Sequence, residues 1–344
     1  MTGGLDVLLV TPAPPGSLAG NRVTAERWAG ILRELGHRVR VAESLEDRAP
    51  EVLVALHASR SAESVARYRE LRPEGFLILA LTGTDLYRDL PAGDPHAFRS
   101  LALADRFVAL HPLALEAVPE ALRSRVRIIV QSADGPRGLT AASAPAPRPE
   151  DGAFRVCVAA HLREVKDPFR AALALSLLPP EAAVEVVHLG RALEPALAAE
   201  ARRLERAERR YRWLGERPRA ETREIIAGSH LLVISSRMEG APNVLSEALA
   251  LGVPVAATRI PGCVGLLGPD HPGLFPVGDT AALAEVLAKA QGDPGFYREL
   301  ARRSRELSER VRPERESAAW ERLLAEARGR LSAGAPKRGR QEKI

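Results

Sequence analysis

Ser235-Ser-Arg-Met-Glu239-Gly-Ala-Pro-Asn243-Val-Leu-Ser-Glu247-Ala-Leu-Ala-Leu-Gly252-Val-Pro254 is the stretch that decides the fold. The apolar run Leu231–Ser235 reads as a buried strand, the Gly/Pro turn after Glu239 interrupts it, and a helix begins near Asn243. A strand that enters a helix through such a turn leaves backbone N–H groups unpaired at the helix start. Those donors and the helix dipole attract an anion, phosphate above all. Glu239 and Glu247 flank the turn and can accept hydrogen bonds from vicinal hydroxyls. A capped helix with two exposed glutamates would read the same way locally.

The same unit repeats outward from this stretch. In the second half the runs Phe154–Ala160, Val184–Leu189 and Val253–Ala257 read as further strands. In the first half Val7–Val10, His37–Val41, Val52–Leu56, Leu77–Leu81, Arg106–Leu110 and Val126–Val130 do so, with helices over about Val23–Leu35 and Ser61–Leu71. Apolar strands alternating with helices call for parallel sheets covered on both faces. The expected class is α/β, two facing Rossmann-like doubly wound domains with a ligand cleft between them at the carboxyl ends of the strands. The expected boundaries are 1–135 for the first domain, an Ala/Pro/Ser/Gly linker over 136–152, and 153–310 for the second domain. An amphipathic C-terminal helix over 311–328 and a disordered basic tail over 329–344 complete the chain.

Composition narrows the function. At 344 residues, with 46% apolar and 27% charged residues, each half can bury its own core. The apolar run Leu5–Val10 is too short to span a membrane and has no basic flank, so the chain reads as unexported and cytoplasmic. Two cysteines, Cys157 and Cys263, lack metal-ligand spacing, which predicts a reducing compartment, no metal and no resident cofactor. The net charge of +5 resides largely in Lys337, Arg338, Arg340 and Lys343 of the tail, without stacking aromatics, so no nucleic-acid partner is expected.

Two glutamates with seven residues between them, followed by Ala-Leu-Ala-x-Gly-x-Pro, resemble the signature of GT-B glycosyltransferases of the GT4 kind. The resemblance implies that Glu239 binds donor-sugar hydroxyls, Glu247 the ribose, and the backbone at Asn243, Val244 and Leu245 the diphosphate of a UDP-sugar. His161-Leu-Arg163-Glu-Val-Lys166 is similar to the family's Gly-Arg-x-x-x-x-Lys segment, with Ala160-His161 where the family has Gly. It implies that Arg163 and Lys166 neutralise the leaving diphosphate, which lets such a transferase act without a metal. Both could equally be surface cations. By the same analogy Gly190-Arg191 and Trp213-Leu-Gly215 frame the base.

Three strand-end loops of the first half offer cations, hydroxyls and close backbone approach. They are Thr11–Arg22 with Gly20, Asn21 and Arg22, then His57–Ser61 with Arg60, then Thr82, Gly83, Thr84 and Asp85. These strings resemble the selenosugar synthase family of selenoneine biosynthesis, from Leu5 to about Leu324. That resemblance implies UDP-N-acetylglucosamine as donor and selenophosphate as acceptor, bound mainly by the first domain. An anionic acceptor needs cations and N–H donors, whereas a hydroxyl acceptor needs a base, for which Asp85, His57 and His161 are candidates. A hydroxyl-directed transferase and a non-catalytic UDP-sugar-binding protein are the alternatives.

Overall fold

A computed structural model describes residues 3–135 and 152–334. The chain divides into two compact units. One comprises the described parts of Met1–Leu110, Leu115–Ile129 and Glu316–Ile344, the other His111–Ala114 and Val130–Arg315.

The first unit holds a six-stranded sheet of β1 (Asp6–Val10), β2 (Arg38–Ala42), β3 (Val52–Leu56), β4 (Phe76–Leu81), β5 (Arg106–Ala109) and β6 (Val126–Ile128). All pairings are parallel, in the order β2-β1-β3-β4-β5-β6. Strands β3 and β4 are buried along their whole length, as continuous apolar runs covered on both faces must be. The helices are α1 (Gly20–Glu34), α2 (Ala62–Leu71), α3 (Pro95–Leu103) and the single turn α4 (Ala114–Ala117). Between β1 and β3 the chain reverses its direction of travel across the sheet, so the loops after these two strands diverge and leave room for a ligand.

The second unit holds β7 (Phe154–Ala159), β8 (Val184–Leu189), β9 (Tyr211–Gly215), β10 (Leu231–Ile234), β11 (Val255–Thr258) and β12 (Leu274–Phe275), in the order β12-β11-β10-β7-β8-β9. Its reversal point lies between β7 and β10. Helices α5 (Arg170–Leu175), α6 (Pro195–Ala207), α7 (Arg219–Ala227), α8 (Asn243–Ala250), α9 (Pro261–Leu267), α10 (Thr280–Gly292) and α11 (Pro294–Ser308) follow. Alternation along the strands sorts them onto two faces. Phe154, Val156 and Val158 meet Ala171 and Leu175 of α5 and Leu283 and Leu287 of α10 on one side. Cys157, Leu232 and Ile234 meet Leu245 and Leu249 of α8 and Cys263 and Leu266 of α9 on the other. Each buried leucine of this kind stabilises the fold by roughly 1.5–3 kcal/mol.

The sequence pattern misses β9 and β12. The first is half-exposed beyond Tyr211 and the second is two residues long, so neither gives a buried apolar run. Strand β11 starts two residues later than expected. Gly252, at φ 71°, and the Val253 N–H bond to the Ala248 carbonyl at 2.9 Å still belong to the end of α8.

The last helix, α12 (Pro313–Gly334), passes through 329–334, which the sequence reading gave to the tail. It continues there because its charges are used by the first unit. Glu326 accepts from Arg106 and Arg127 at 2.7 Å each, and Arg330 pairs with Asp105. Near its start, Trp320 packs edge-on against Trp28 at 4.9 Å, and buried Glu316 accepts from the Trp28 indole at 2.7 Å. Of the expected linker over 136–152 all but Gly152 lies outside the described residues, as do the basic residues after 334. Among the described residues no helix is long and apolar enough to cross a membrane.

Candidate functional site

The reversal point of the second sheet places the loop after β7 beside the loop after β10, and the sequence fixes both. Glu164–Lys166 form one tight helical turn, which ends where Asp167 adopts a left-handed backbone at φ 44°. The Asp167 carboxylate then clamps Arg170 at 2.9 and 3.2 Å. Ser235 Oγ donates to the Asp167 carbonyl at 2.8 Å, and the Arg237 N–H donates to the Val165 carbonyl at 2.8 Å, so the two loops are stitched together.

The result is an ion pair between residues 73 positions apart: Lys166 Nζ donates to Glu239 Oε1. Ser236 Oγ, a residue the sequence reading passed over, donates to the same oxygen at 2.6 Å. The Lys166 and Glu239 side chains are 26% and 12% exposed. Opposite charges share the cost of partial burial. Nζ has three donors and spends one on Glu239, so it can still reach phosphate oxygens, while Glu239 Oε2 can still accept from a hydroxyl. Helix α9 seals the back of the loop. A Cβ on Gly262 would lie 2.3 Å from the Glu239 carbonyl oxygen, so only glycine fits there. Arg163 is not drawn into this pair. It sits on extended backbone ahead of the turn, exposed and without an ion pair among the described residues.

Helix α8 begins after Pro242. The Leu245 N–H, expected at the diphosphate, is bonded to the Pro242 carbonyl at 3.0 Å. The Val244 N–H has no such bond among the described residues. Glu247 is 8% exposed and accepts from Arg219 Nε at 3.2 Å, a partner the sequence did not suggest because 28 residues separate them. Gly190 is a shaping residue. Its N–H donates to the Gly215 carbonyl at 2.8 Å, its carbonyl accepts from the Trp213 indole at 2.9 Å, and a Cβ would sit 2.0 Å from the Ala160 carbonyl oxygen. At φ 145° the position also requires glycine.

In the first unit the reversal point brings the Thr11–Ala19 loop and α1 next to the loop after β3. Gly20 and Asn21 open α1, Gly20 exposed and Asn21 half-buried. Arg22 is only 8% exposed. Its Nη2 pairs with Glu26 at 2.5 Å, while Nε and Nη1, buried, have no partner among the described residues. Among them the Thr11 hydroxyl, also buried at the end of β1, has none either.

Asp85 departs from the expected ligand contact. It is fully buried, and its carboxylate accepts from the backbone N–H groups of Gly83 at 2.7 Å and of Ala58, Thr82 and Leu86 at 3.0 Å each. Asp85 therefore organises the loop that carries Thr82, Gly83 and Thr84. His57, at φ 77° and buried, accepts from the Arg60 N–H at Nδ1 (3.3 Å), which leaves the proton on Nε2 facing Thr84 Oγ1 at 2.8 Å. Burial, outweighing nearby Asp85, pushes its pKa down and keeps the ring neutral. Arg60 itself is exposed. Among the described residues no three His, Cys, Asp or Glu side chains are arranged to hold a metal ion.

Comparison with known structures gives the architecture a name. The sucrose-phosphate synthase of Thermosynechococcus elongatus superposes with a TM-score of 0.73 at 16% identity, over 96% of this chain and 99% of that one. HepE of Anabaena, solved in complex with UDP and glucose, gives 0.72 at 16% identity, over 94% and 100%. The fold is GT-B. Within this GT-B chain, residues 154–293 match the family described as glycosyl transferases group 1, and that span contains Lys166, Glu239 and Glu247. A curated relative from Bacillus subtilis (strain 168), provisionally named the teichuronic acid biosynthesis glycosyltransferase TuaC, is 33% identical over 87 residues. That match covers 25% of this chain and only 22% of the relative.

Proposed function

We propose that this protein transfers a sugar from a UDP-sugar to a small acceptor. The observation that carries the reading is the Lys166–Glu239 pair at the reversal point of the second sheet, within the segment that matches the group 1 glycosyl transferases. In this reading Lys166, with Arg163, neutralises the diphosphate, and Glu239 holds sugar hydroxyls. Glu247 holds the ribose, and Gly190 with the Asn243 and Val244 backbone shapes the phosphate end. As the anomeric C–O bond breaks, negative charge grows on the departing UDP, and a cation already in place stabilises it without reorganising. The UDP and glucose bound to HepE support this donor class.

We further propose that the acceptor is an anion, selenophosphate, and the donor UDP-N-acetylglucosamine. The selenium would attack the anomeric carbon, forming a C–Se bond as the C–O bond to UDP breaks. The support is Arg22, whose buried Nε and Nη1 have no partner among the described residues. Each such orphan costs about 1–3 kcal/mol, which an anion within its reach would offset. Gly20, Asn21, Arg60 and Thr82–Thr84 complete the acceptor loops. The candidate bases for a hydroxyl acceptor are otherwise engaged: Asp85 by backbone, His57 by Arg60 and Thr84, and His161 Nδ1 by the Arg191 N–H at 3.1 Å. The comparisons reach only the level of a UDP-sugar transferase, and they favour a hydroxyl acceptor over selenophosphate.

The deciding assay supplies UDP-N-acetylglucosamine with selenophosphate, and separately with common sugar acceptors, and follows UDP and product by mass spectrometry. A selenium-containing sugar with release of UDP supports the full reading. UDP release only with sugar acceptors would replace selenophosphate by a hydroxyl, and UDP binding without turnover would leave a sensor. Arg22→Gln is expected to raise the acceptor KM at least about tenfold, the loss of one charge-assisted contact, with the donor KM unchanged.

A further inference from the structure

The second unit contains a cavity of about 320 Å³ that no part of the proposed reaction uses. Its wall includes Leu267, Asp270, His271, Arg303, Glu306 and Arg310, from the end of α9, the loop after it, the C-terminal half of α11 and the turn that follows α11. His271 is 3% exposed and accepts from the Gly273 N–H at Nδ1 (3.2 Å), so its proton sits on Nε2. That buried Nε2–H has no partner among the described residues. A donor without an acceptor is destabilising, and His271 belongs to the wall of a cavity large enough for a small metabolite.

The surrounding charges indicate what would fill it. Arg303 spends only Nε on Glu299 (3.1 Å), and Arg310 spends one N–H on the Leu266 carbonyl (3.2 Å), so both guanidiniums keep donors. Of the two carboxylates in the wall, Glu306 is already paired with Arg302. Burial, together with Arg303, holds His271 neutral, which makes it a donor of one N–H rather than a second charge competing with the arginines.

We propose that this cavity binds a small phosphorylated molecule, its phosphoryl oxygens taken by Arg303, Arg310 and the His271 N–H, its remainder lying against Leu267. The site is separate from the nucleotide-sugar residues but connected to them. Helix α9 begins with Gly262 pressed on the Glu239 backbone and ends with Leu267 in the cavity wall. Occupancy at one end of so short a rigid element is therefore felt at the other. This coupling, unlike the binding itself, rests on the donor role proposed for Glu239.

The test is isothermal titration of the full chain with inorganic phosphate and with glycerol 3-phosphate, with and without saturating UDP. Saturable binding that survives UDP, and weakens at least about tenfold in both Arg303→Gln and Arg310→Gln, is expected. His271→Phe, which keeps the ring and removes the donor, should weaken it too. Absence of saturable binding for both probes, displacement by UDP, or equal affinity in the arginine variants would overturn the proposal. A donor KM unmoved by bound glycerol 3-phosphate would remove the coupling and leave the site.

Discussion

Lys166 and Glu239 hold each other in the loops after β7 and β10, and their chemistry is separable from their contribution to stability. Lys166→Ala and Glu239→Ala are each expected to lower turnover by about 10²–10³, the range seen when one preorganised charge or donor is removed. The double variant should fall little further, since the two act as a unit. Steady-state kinetics beside thermal denaturation checks this, and unchanged activity in both single variants would sink the site assignment. Asp85 is the contrasting case. With four backbone N–H groups on its carboxylate, Asp85→Asn should cost about 1.5–3 kcal/mol in urea denaturation. Both charges were legible in the sequence as loop residues, but their opposite fates were not. Whether a carboxylate faces a ligand or its own backbone depends on which loop folds over it.

Among the elements, the close seat of α9 on the donor loop is the most exposed to test. Gly262→Ala would place a methyl 2.3 Å from the Glu239 carbonyl oxygen, so either the loop or the helix must move. A destabilisation of about 1–3 kcal/mol is expected, with a donor KM raised more than the acceptor KM. Equal stability and kinetics to the parent would show that the loop shifts without consequence. The quoted stretch from Ser235 to Pro254 announced strand, turn and helix correctly, because buried apolar runs and Gly/Pro turns are local signals. It could not announce that the Leu245 N–H would bond the Pro242 carbonyl, nor that Arg219 on α7 would reach Glu247, since the second follows from packing between separate elements.

Across the whole molecule, three buried histidines set an acid limit. Burial pushes the pKa of His111, His188 and His271 down to about 4 each, against about 6.5 when unfolded. Between those values the unfolded chain binds protons that the folded chain does not. Stability is therefore intact above about pH 6.5 and falls as pH drops toward 4, by about 1.4 kcal/mol per pH unit for each histidine. Urea titrations at pH 7 and pH 5 should show the drop, and a phenylalanine at any one of the three should reduce it by about a third. A truncation probes the first unit in the same way. Removing 313–344 deletes the partners of Trp28, Arg106 and Arg127 and should unfold that unit by circular dichroism and proteolysis, while removing only 335–344 should leave the melting temperature unchanged.

The sequence by itself determined two α/β halves, the strand-turn-helix run around Glu239 and the strand-end loops, because apolar runs, glycine turns and helix starts are written in neighbouring residues. Only the tertiary structure decided which of those residues meet. The strand order put Lys166 on Glu239, the return of α12 sent the end of the chain back to the first unit, and backbone N–H groups took the Asp85 carboxylate. The physical reason is that pairing, burial and orphaned donors such as those of Arg22 depend on contacts between distant segments, which local pattern does not encode.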